Sequence, residues 1–268
     1  PWDGTPEHPY QNITSALEHA SVNDTIYVYN GTYYENLVVD KAVSLVGENK
    51  YNAIVDGRYL YPAAVTINAS NVNIRGFTIR KGGWLPFPVP APNGGILVLG
   101  SSSDNNITNN IMTNNTCGIF LFNSSNNILA DNTVLYSNWF GIVLSSSNNN
   151  IISGNKITAN KEFGIMLAES SNNSFSGNDI TNNTNGICLG TSSSYNIMYG
   201  NNITANDEDG IYLAYSSSYN IIHGNNITAN VWGIEFLNSS NNMIWQNSIT
   251  ANDWYGIYLY LSLGNIIH

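Results

Sequence analysis

The chain has 268 residues and a formal charge of −10, although only 10% of its residues are charged. Its eight Lys and Arg residues are too few for the basic footprint of a nucleic-acid-binding protein. No apolar run approaches the roughly 18 residues of a membrane-spanning helix, so we expect no membrane span. No signal peptide is recognisable, and because the chain opens at Pro1 without a Met, we expect that a leader has been removed or is not included.

Residues 10–20 carry the only helical pattern, with Ile13, Leu17 and Ala20 on one face. We predict an amphipathic helix within an N-terminal cap, residues 1–22, that closes the open end of the core that follows.

Residues 23–94 alternate short apolar runs with turn residues, without a constant period. We predict irregular coils here, built from strands at 25–29, 37–39, 43–46, 53–55, 65–67 and 72–79. Four of the eight prolines lie within a segment of residues 81–94. They cannot all join a buried sheet, so this segment is predicted to be an outward loop with Trp84 near its tip.

From residue 95 to the end, the chain repeats one phrase: Gly-Ile-x-Leu, then a Ser/Asn corner, then Asn-x-Ile-Thr-x-Asn. Successive copies are 22 to 24 residues apart, and their glycines are Gly95, Gly118, Gly141, Gly164, Gly186, Gly210, Gly233 and Gly256. A period in the twenties indicates a solenoid. Leucine-rich repeats share this period but would show Leu-x-x-Leu-x-Leu and a helical return, and neither is present.

The Ile and Leu of each phrase are two residues apart, so on a strand they point the same way. We therefore predict an all-β fold, a single-stranded right-handed parallel β-helix of about 11 coils of about 23 residues with the N-terminal capping helix. Residues 1–268 are predicted to form a single domain, with the regular repeats at 95–268. Two asparagine series are predicted to stack as structural ladders: Asn109, Asn132, Asn155, Asn178, Asn201, Asn225 and Asn247, and Asn114, Asn160, Asn183, Asn206, Asn230 and Asn252, interrupted by Ser137.

The start of the chain resembles a known family. The segments YQNITSALEHA at 10–20, DTIYVYNGTYYEN at 24–36, VSLVGEN at 43–49 and IVDG at 54–57 are similar to the beginning of NosD-like right-handed parallel β-helix proteins. The likeness continues through the repeats. It implies the pectin-lyase-like β-helix fold and a cell-surface setting, but no activity, because related solenoids include sugar hydrolases, lyases, metal-delivery factors and inert surface proteins.

No catalytic, metal or cofactor site is predicted. The densest acidic cluster, Asp207 to Asp209, occupies a variable bend and is interpreted as solvated. The four histidines have no metal-ligand spacing. Cys117 and Cys188 lie three coils apart, about 14 Å, which is too far for a disulfide, so both are predicted to be free.

The residue between the Ile and Leu of each phrase should point outward, and it is often apolar. This row and the neighbouring bends predict a surface for self-assembly or another partner, formed by Leu97, Phe120, Phe122, Tyr212, Tyr258, Tyr260, Trp84, Trp232 and Trp254. Among the Asn-x-Ser/Thr sequons, the candidates for N-glycosylation are Asn202, Asn226, Asn123, Asn238 and Asn30.

These observations favour a non-catalytic extracellular or cell-surface β-helix that self-assembles as a surface-layer, sheath or filament subunit. The proposed contacts are the apolar stripe and the uncapped C-terminal end. The alternative is a polysaccharide-binding or polysaccharide-cleaving module that uses the exposed aromatic residues. A metal-handling role is the least favoured reading.

Overall fold

The repeat phrase folds into very short strands because Gly, Asn and Ser interrupt every apolar run. A computed structural model describes residues 3–60, 62–83 and 92–268. In a typical strand, Lys156–Thr158, the central Ile157 is buried and its two neighbours face outward. Three such strands separated by bends make one coil of the solenoid.

The N-terminal helix, α1, spans Ile13–His19, and its Ile13 and Leu17 are buried against the first coil. The Asn12 side chain accepts a hydrogen bond from the Ser15 backbone N–H at 2.7 Å. The Glu35 carboxylate accepts hydrogen bonds from the backbone N–H groups of Ile13 and Thr14 at 2.9 and 2.8 Å. The predicted capping helix is confirmed, although it is shorter than the predicted pattern.

All named strands pair in parallel within three sheets. The first sheet contains Thr25–Val28 (β1), Ser44–Gly47 (β4), Asn73–Arg75 (β7), Asn106–Thr108 (β10), Ile128–Ala130 (β13), Ile151–Ser153 (β16), Ser174–Ser176 (β19), Ile197–Tyr199 (β22), Ile221–His223 (β25), Met243–Trp245 (β28) and Ile266–Ile267 (β31).

The second sheet contains Gly31–Tyr33 (β2), Ala53–Leu60 (β5), Thr78–Gly82 (β8), Ile111–Thr113 (β11), Thr133–Leu135 (β14), Lys156–Thr158 (β17), Asp179–Thr181 (β20), Asn202–Thr204 (β23), Asn226–Thr228 (β26) and Ser248–Thr250 (β29). The third sheet contains Leu37–Val39 (β3), Ala63–Ile67 (β6), Gly94–Val98 (β9), Ile119–Phe122 (β12), Ile142–Ser145 (β15), Phe163–Ala168 (β18), Asn185–Gly190 (β21), Asp209–Ala214 (β24), Trp232–Leu237 (β27) and Tyr255–Tyr260 (β30).

The three sheets define ten coils and the first strand of an eleventh among the described residues. The predicted parallel β-helix is confirmed, with about one coil fewer than expected. The predicted strand at 72–79 is in fact two strands, β7 and β8, because Gly76 bends the chain with a φ of 83°. Most of the proline-rich loop, including Trp84, lies outside the described residues.

The core is a column of apolar side chains that each coil supplies from all three sheets. In the coil formed by β16, β17 and β18, the inward residues are Ile152, Ile157, Ile165 and Leu167, and none of them is exposed. Gly164 is required next to this core. A Cβ there would lie 2.7 Å from Ile180 Cγ2 and 2.8 Å from the Gly186 carbonyl oxygen of the next coil.

The corners are held by ladders of buried asparagines. Asn178 is representative: its Nδ2 donates to Asn201 Oδ1 of the next coil and to the Ile152 carbonyl, both at 2.9 Å. Both predicted ladders exist, but their first members are Asn110 and Asn115, not Asn109 and Asn114. The first corner is one residue shorter than the constant period assumed.

A further asparagine ladder was not predicted. It passes through Asn105, Asn127, Asn150, Asn173, Asn196, Asn220, Asn242 and Asn265. Buried serines run beside it, and the Ser147 Oγ atom accepts a hydrogen bond from the Ser124 backbone N–H. The Ser/Asn corner of the phrase is therefore a second structural column.

Candidate functional site

The outer face of the third sheet is the surface on which the sequence predicted an apolar stripe. The structure brings this row into register: Leu97, Phe120, Val143, Met166, Cys188, Tyr212, Glu235 and Tyr258 are neighbours in successive coils. The row is only partly exposed. Leu97, Val143 and Cys188 lie outside the apolar core, as predicted, but they are only 1%, 3% and 5% exposed, so the prediction that the row is accessible is wrong at these positions.

The size of the neighbours explains the burial of Val143 and Cys188. Val143 lies between Phe120 and Met166, and Cys188 lies between Met166 and Tyr212. Larger side chains on adjacent strands cover a smaller one between them. Phe122, Tyr260 and Trp254 are exposed as expected, whereas Phe120, Tyr212, Tyr258 and Trp232 are half-buried.

Two aromatic clusters lie along the edge of this face, where each coil enters the third sheet. Phe140 stacks on Phe163 at 5.7 Å and an interplanar angle of 22°. Three coils further on, Trp232 contacts the rings of Trp254, Tyr255 and Tyr258, with centroids 5.0 to 5.5 Å away. The gap between the clusters spans about 14 Å along the axis, at about 4.8 Å per coil.

Polar residues fill this gap. Asp209 occupies the same edge position and pairs in register with Trp232 on the next strand. Its backbone N–H donates to Asn185 Oδ1 at 3.0 Å, and Asn185 Nδ2 donates to Glu208 Oε2 at 3.2 Å. One coil further, Glu235 lies between Tyr212 and Tyr258. We call Asn185, Glu208, Asp209, Glu235, Trp232 and Tyr258 the acidic–aromatic patch.

The environment of Asp209 differs from the solvated bend predicted from the sequence. Asp209 is only 7% exposed, and its Oδ1 atom has no hydrogen-bond partner among the described residues. Burial, followed by the charges of Glu235 and Glu208, raises the pKa of Asp209 to about 7. A carboxyl group with this pKa is about half protonated at neutral pH.

The same surroundings raise the pKa of Glu235, within the patch, and of Tyr212 beside it. Burial and the charge of Glu208 raise the pKa of Glu235. Burial, followed by the charge of Glu235, raises the pKa of Tyr212 to about 12. No lysine or arginine follows Lys161, so the patch has no cation from its own coils to offset these charges.

The acids and rings of the patch are of the kinds that protonate a glycosidic oxygen and stack on sugars. Asp209 and Glu235 lie on adjacent coils, with Glu235 three residues further along the strand than Trp232, the register partner of Asp209. A protonated carboxyl group can donate to a glycosidic oxygen while an ionised neighbour acts as base or nucleophile. The flanking rings offer apolar faces and edges of the kind that stack on sugars.

The metal-binding groups are not gathered in this way. Among residues 3–60, 62–83 and 92–268, no group of three or more His, Cys, Asp or Glu residues is placed to hold a metal ion. Cys117 and Cys188 are free and buried, and burial raises the pKa of each thiol to about 12. Copper favours thiolate, thioether and imidazole ligands. His223 instead stacks between Tyr199 and Trp245.

Charged residues nearer the N-terminus form a structural ion-pair cluster. The buried Asp56 carboxylate accepts from Arg80 Nε at 2.8 Å and lies 3.1 Å from Lys81 Nζ. These contacts surround the irregularity in β5, where the register with β8 shifts between Asp56 and Leu60. Two open clefts flank the capping helix, but neither contains a buried acid pair.

The outer face of the first sheet carries an apolar row that the sequence analysis missed. Its exposed members include Ile128, Ile151, Ile197, Met243 and Ile266, which are 38–46% exposed. These residues recur one to two positions after the Ser/Asn corner of each repeat. The same period that predicted the third-sheet row could therefore have predicted this row as well.

The candidate glycosylation sites are accessible to different degrees. Asn30, Asn123, Asn226 and Asn238 are exposed, and Asn202 is half-buried. On the second sheet, Asn226 Nδ2 donates to Asn202 Oδ1 at 2.8 Å, so these two side chains face outward together. Their glycosylation stays a prediction.

The sequence matches the model of the family described as "Periplasmic copper-binding protein (NosD)" over residues 17–208 and 182–268. A comparison with curated protein sequences gives no match. No helix among the described residues has the length and apolar character needed to cross a bilayer.

Solved structures share this architecture, and the names of two of the three described below refer to the polysaccharide alginate. The enzymatically active domain of tailspike protein 2 from bacteriophage CBA120 has a TM-score of 0.64 at 15% identity, covering 87% of this chain and 40% of its own. The periplasmic alginate epimerase AlgG, as its T265N mutant, has a TM-score of 0.59 at 19% identity, covering 94% and 71%. An alginate lyase from Paenibacillus sp. str. FPU-7 has a TM-score of 0.52 at 14% identity, covering 93% and 95%. At these identities the likeness concerns the fold, and the chain spans less than half of the tailspike domain.

Proposed function

Because the chain belongs to the NosD family of right-handed parallel β-helix proteins, a fold that hosts many activities, we propose its function from its own surface: it binds a polysaccharide along the third sheet. The observation that carries this proposal is the pairing of acids with aromatic residues on neighbouring strands, Asp209 with Trp232 and Glu235 with Tyr258. The names of the epimerase and the lyase of similar fold, which refer to alginate, support a polysaccharide as the ligand.

In this proposal, the two aromatic clusters hold the glycan on either side of the acids. Trp232 and Tyr258 contact it beyond Glu235, and Phe140 and Phe163 contact it on the opposite side. A glycosidic oxygen then lies over the buried Asp209. This carboxyl donates its proton to the leaving oxygen as the bond from that oxygen to the anomeric carbon breaks. A water molecule forms the new bond to the anomeric carbon, and Glu235 accepts its proton.

The copper-binding role in the family description is not part of the proposal. A copper site would need soft ligands close together, but the two cysteines, Cys117 and Cys188, are buried and lie three coils apart. No step is assigned to copper. An extracellular or cell-surface location is proposed, in keeping with a family described as periplasmic.

Binding is tested by isothermal calorimetry against a panel of polysaccharides with wild type, Trp232→Ala and Trp245→Ala. Trp245 is the matched control because it lies on the first sheet in a separate ring stack. We expect Trp232→Ala to weaken binding by about 5- to 150-fold, since loss of a stacking ring costs about 1–3 kcal/mol. Equal loss in both variants would contradict a site on the third sheet.

Cleavage is tested by release of reducing ends. Asp209→Asn should abolish any release and retain binding, whereas the exposed Asp207→Asn should leave both unchanged. If wild type binds a glycan but releases no ends, the protein is a binding module and Asp209 has no catalytic role.

Self-assembly is a second candidate function, favoured by the apolar row on the first sheet. Exposed Phe122, Tyr260 and Trp254 would extend the contact area. A mass measurement by light scattering decides the matter: wild type should exceed the monomer mass, and Ile151→Lys with Ile197→Lys should reduce it. Comparison with Phe120→Lys plus Tyr212→Lys identifies which face makes the contact. A monomeric wild type at high concentration would contradict this candidate.

A further inference from the structure

The charge of the protein is distributed unevenly along its axis. All eight Lys and Arg residues lie between Lys41 and Lys161. Residues 162–268 contain no cationic Lys or Arg but eight acids: Glu162, Glu169, Asp179, Asp207, Glu208, Asp209, Glu235 and Asp253. The formal charge of this segment is therefore 0 − 8 = −8, out of −10 for the whole chain.

The acidic–aromatic patch lies within this segment. Glu208 and Asp209 are consecutive, and Glu235 is on the next coil. The polar contact that links them comes from a neutral amide, that of Asn185, whose Nδ2 is 3.2 Å from Glu208 Oε2. The nearest basic residue along the chain is Lys161, which precedes the edge residue Phe163 of β18.

Lys161 occupies the same bend as Glu208 two coils earlier, about 10 Å away along the axis, with Thr184 between them. The cations of the first coils are more distant. Arg80 and Lys81 hold Asp56 on the second and third coils, whereas Asp209 lies on the eighth. At about 4.8 Å per coil, five or six coils separate the groups by about 24–29 Å, more than twice the Debye length at physiological salt. An anionic group at the patch would meet the carboxylates of Glu208 and Glu235, and its nearest lysine or arginine, Lys161, is two coils away.

We infer that the polysaccharide bound at this patch carries no acid groups, and that its sugars are uncharged or bear an amine. This inference rests on the proposed function and names its substrate class. It separates this chain from the epimerase and the lyase of similar fold, whose names refer to alginate, a polymer of sugar acids. A protonated amine would pair with Glu208 or Glu235, and a neutral sugar would use the aromatic rings alone.

The experiment compares three kinds of probe by calorimetry at low and high salt: neutral β- and α-glucan oligosaccharides, chitosan oligosaccharides and alginate oligosaccharides. We expect neutral or amine-bearing oligosaccharides to bind at least tenfold more tightly than alginate at low salt. Added salt should leave neutral binding unchanged, weaken chitosan and improve alginate.

Two variants test the cause. Glu208→Gln with Glu235→Gln should strengthen alginate binding at low salt by at least tenfold. The matched control, Glu169→Gln with Asp179→Asn, removes the same charge away from the patch and should change alginate binding much less. Asp179 faces outward on the second sheet and accepts from Asn202 Nδ2.

The outcomes separate the inference from the function on which it rests. If alginate binds as tightly as the neutral probes at low salt, the inference is overturned and the proposed function stands. If none of the probes binds, the proposed function fails and the inference fails with it. If the two double variants have equal effects, the patch does not determine the selectivity.

Discussion

At the residue scale, the least complete position in the asparagine ladders is Ser137. Its backbone N–H donates to Asn160 Oδ1 at 3.0 Å, as a ladder asparagine would, but its own Oγ is buried without a partner among the described residues. In neighbouring coils an asparagine at this position places Nδ2 beside the phrase glycine, as Asn160 does 3.0 Å from the Cβ position of Gly141. The coil that contains Ser137 therefore lacks one side-chain hydrogen bond of the ladder.

We predict that Ser137→Asn stabilises the protein. The new carboxamide would donate to Asn160 Oδ1 and remove an unsatisfied hydroxyl, which should raise the free energy of unfolding by about 0.5–2 kcal/mol. Urea denaturation measures the change. Ser146→Asn, at a half-buried left-handed corner outside the ladders, is the control and should have little effect. A destabilised Ser137→Asn would mean that this corner is too narrow for the ladder.

Asp209 makes the protein less stable as pH rises, whereas an ion-paired acid makes a protein more stable as pH rises. The unfolded chain ionises Asp209 near 3.8, whereas the folded protein keeps the proton until its pKa of about 7. Between these pH values only the folded state binds the proton, so the free energy of unfolding falls as pH rises and then levels off. A shift of about three units corresponds to a loss of about 4 kcal/mol.

We predict that Asp209→Asn removes most of this decline. Unfolding by urea between about pH 4 and pH 8 should give a flatter stability profile, with the variant more stable than wild type at the upper end. Asp207→Asn, which changes an exposed acid, should keep the wild-type slope. Parallel profiles for wild type and Asp209→Asn would show that the carboxyl is not held protonated.

At the element scale, the capping helix depends on its contacts with the first coil. Seven residues are too few for an isolated helix to be stable in water. Ile13 and Leu17 are buried under it, and Glu35 from the first coil binds its first backbone N–H groups. The helix in turn covers the end of the apolar core.

We predict that Leu17→Asp undocks this helix. A charge buried without a partner is costly, and the uncovered first coil would present apolar side chains and strand edges. Limited proteolysis should cut within residues 3–22, and light scattering should detect larger particles. The exposed Glu18→Gln is the control. A protected N-terminus in Leu17→Asp would contradict the capping role.

Elements and inward residues were predictable because they follow the period of the phrase. Ile152, Ile157, Ile165 and Leu167 were identified by spacing alone and are fully buried. The start of each ladder was displaced by one residue, because corner length varies. In the Asn109–Asn110 doublet, the constant period selected the wrong partner.

The candidate site was less predictable because it depends on contacts between coils. The sequence places Asp209 in a bend, but its burial depends on the neighbouring coils, in which Asn185 accepts from its N–H and Trp232 occupies the paired position. In the same way, the exposure of Val143 depends on Phe120 and Met166. Periodicity assigns a residue to a row, and the sizes of its neighbours determine whether that row is accessible.

At the scale of the whole molecule, the strands of each coil pair only with those of the coils next to it, and stability is close to a sum of similar interfaces. The ladders tolerate spacings of 22 to 24 residues, since the bends absorb the difference and the rungs stay aligned. The acidic–aromatic patch and the ion pairs of Asp56 are thus independent features on a uniform scaffold.

We predict that deletion of residues 133–155 leaves a folded protein with one coil fewer. The cut joins Asn132 to Lys156, so Asn132 would meet Asn178 and Asn115 would meet Asn160 in intact ladders. The urea m-value should fall by about a tenth, because m scales with the surface buried. Deletion of residues 133–149 is the control. It does not remove a whole repeat, so the asparagines of the ladders would no longer align between coils, and the protein should not fold. Equal behaviour of the two deletions would contradict the ladder as the source of register.

The equivalence of the rungs also bears on how such a gene can change. Unequal recombination between any two copies of the phrase adds or removes a whole coil without disturbing the junction, because each copy presents the same asparagine and glycine to its neighbour. The distance between the N-terminal cap and the carboxyl groups of coils eight and nine would then vary in steps of about 4.8 Å. The length of the solenoid between the cap and these acids can therefore change by whole coils while the surroundings of Asp209 stay the same.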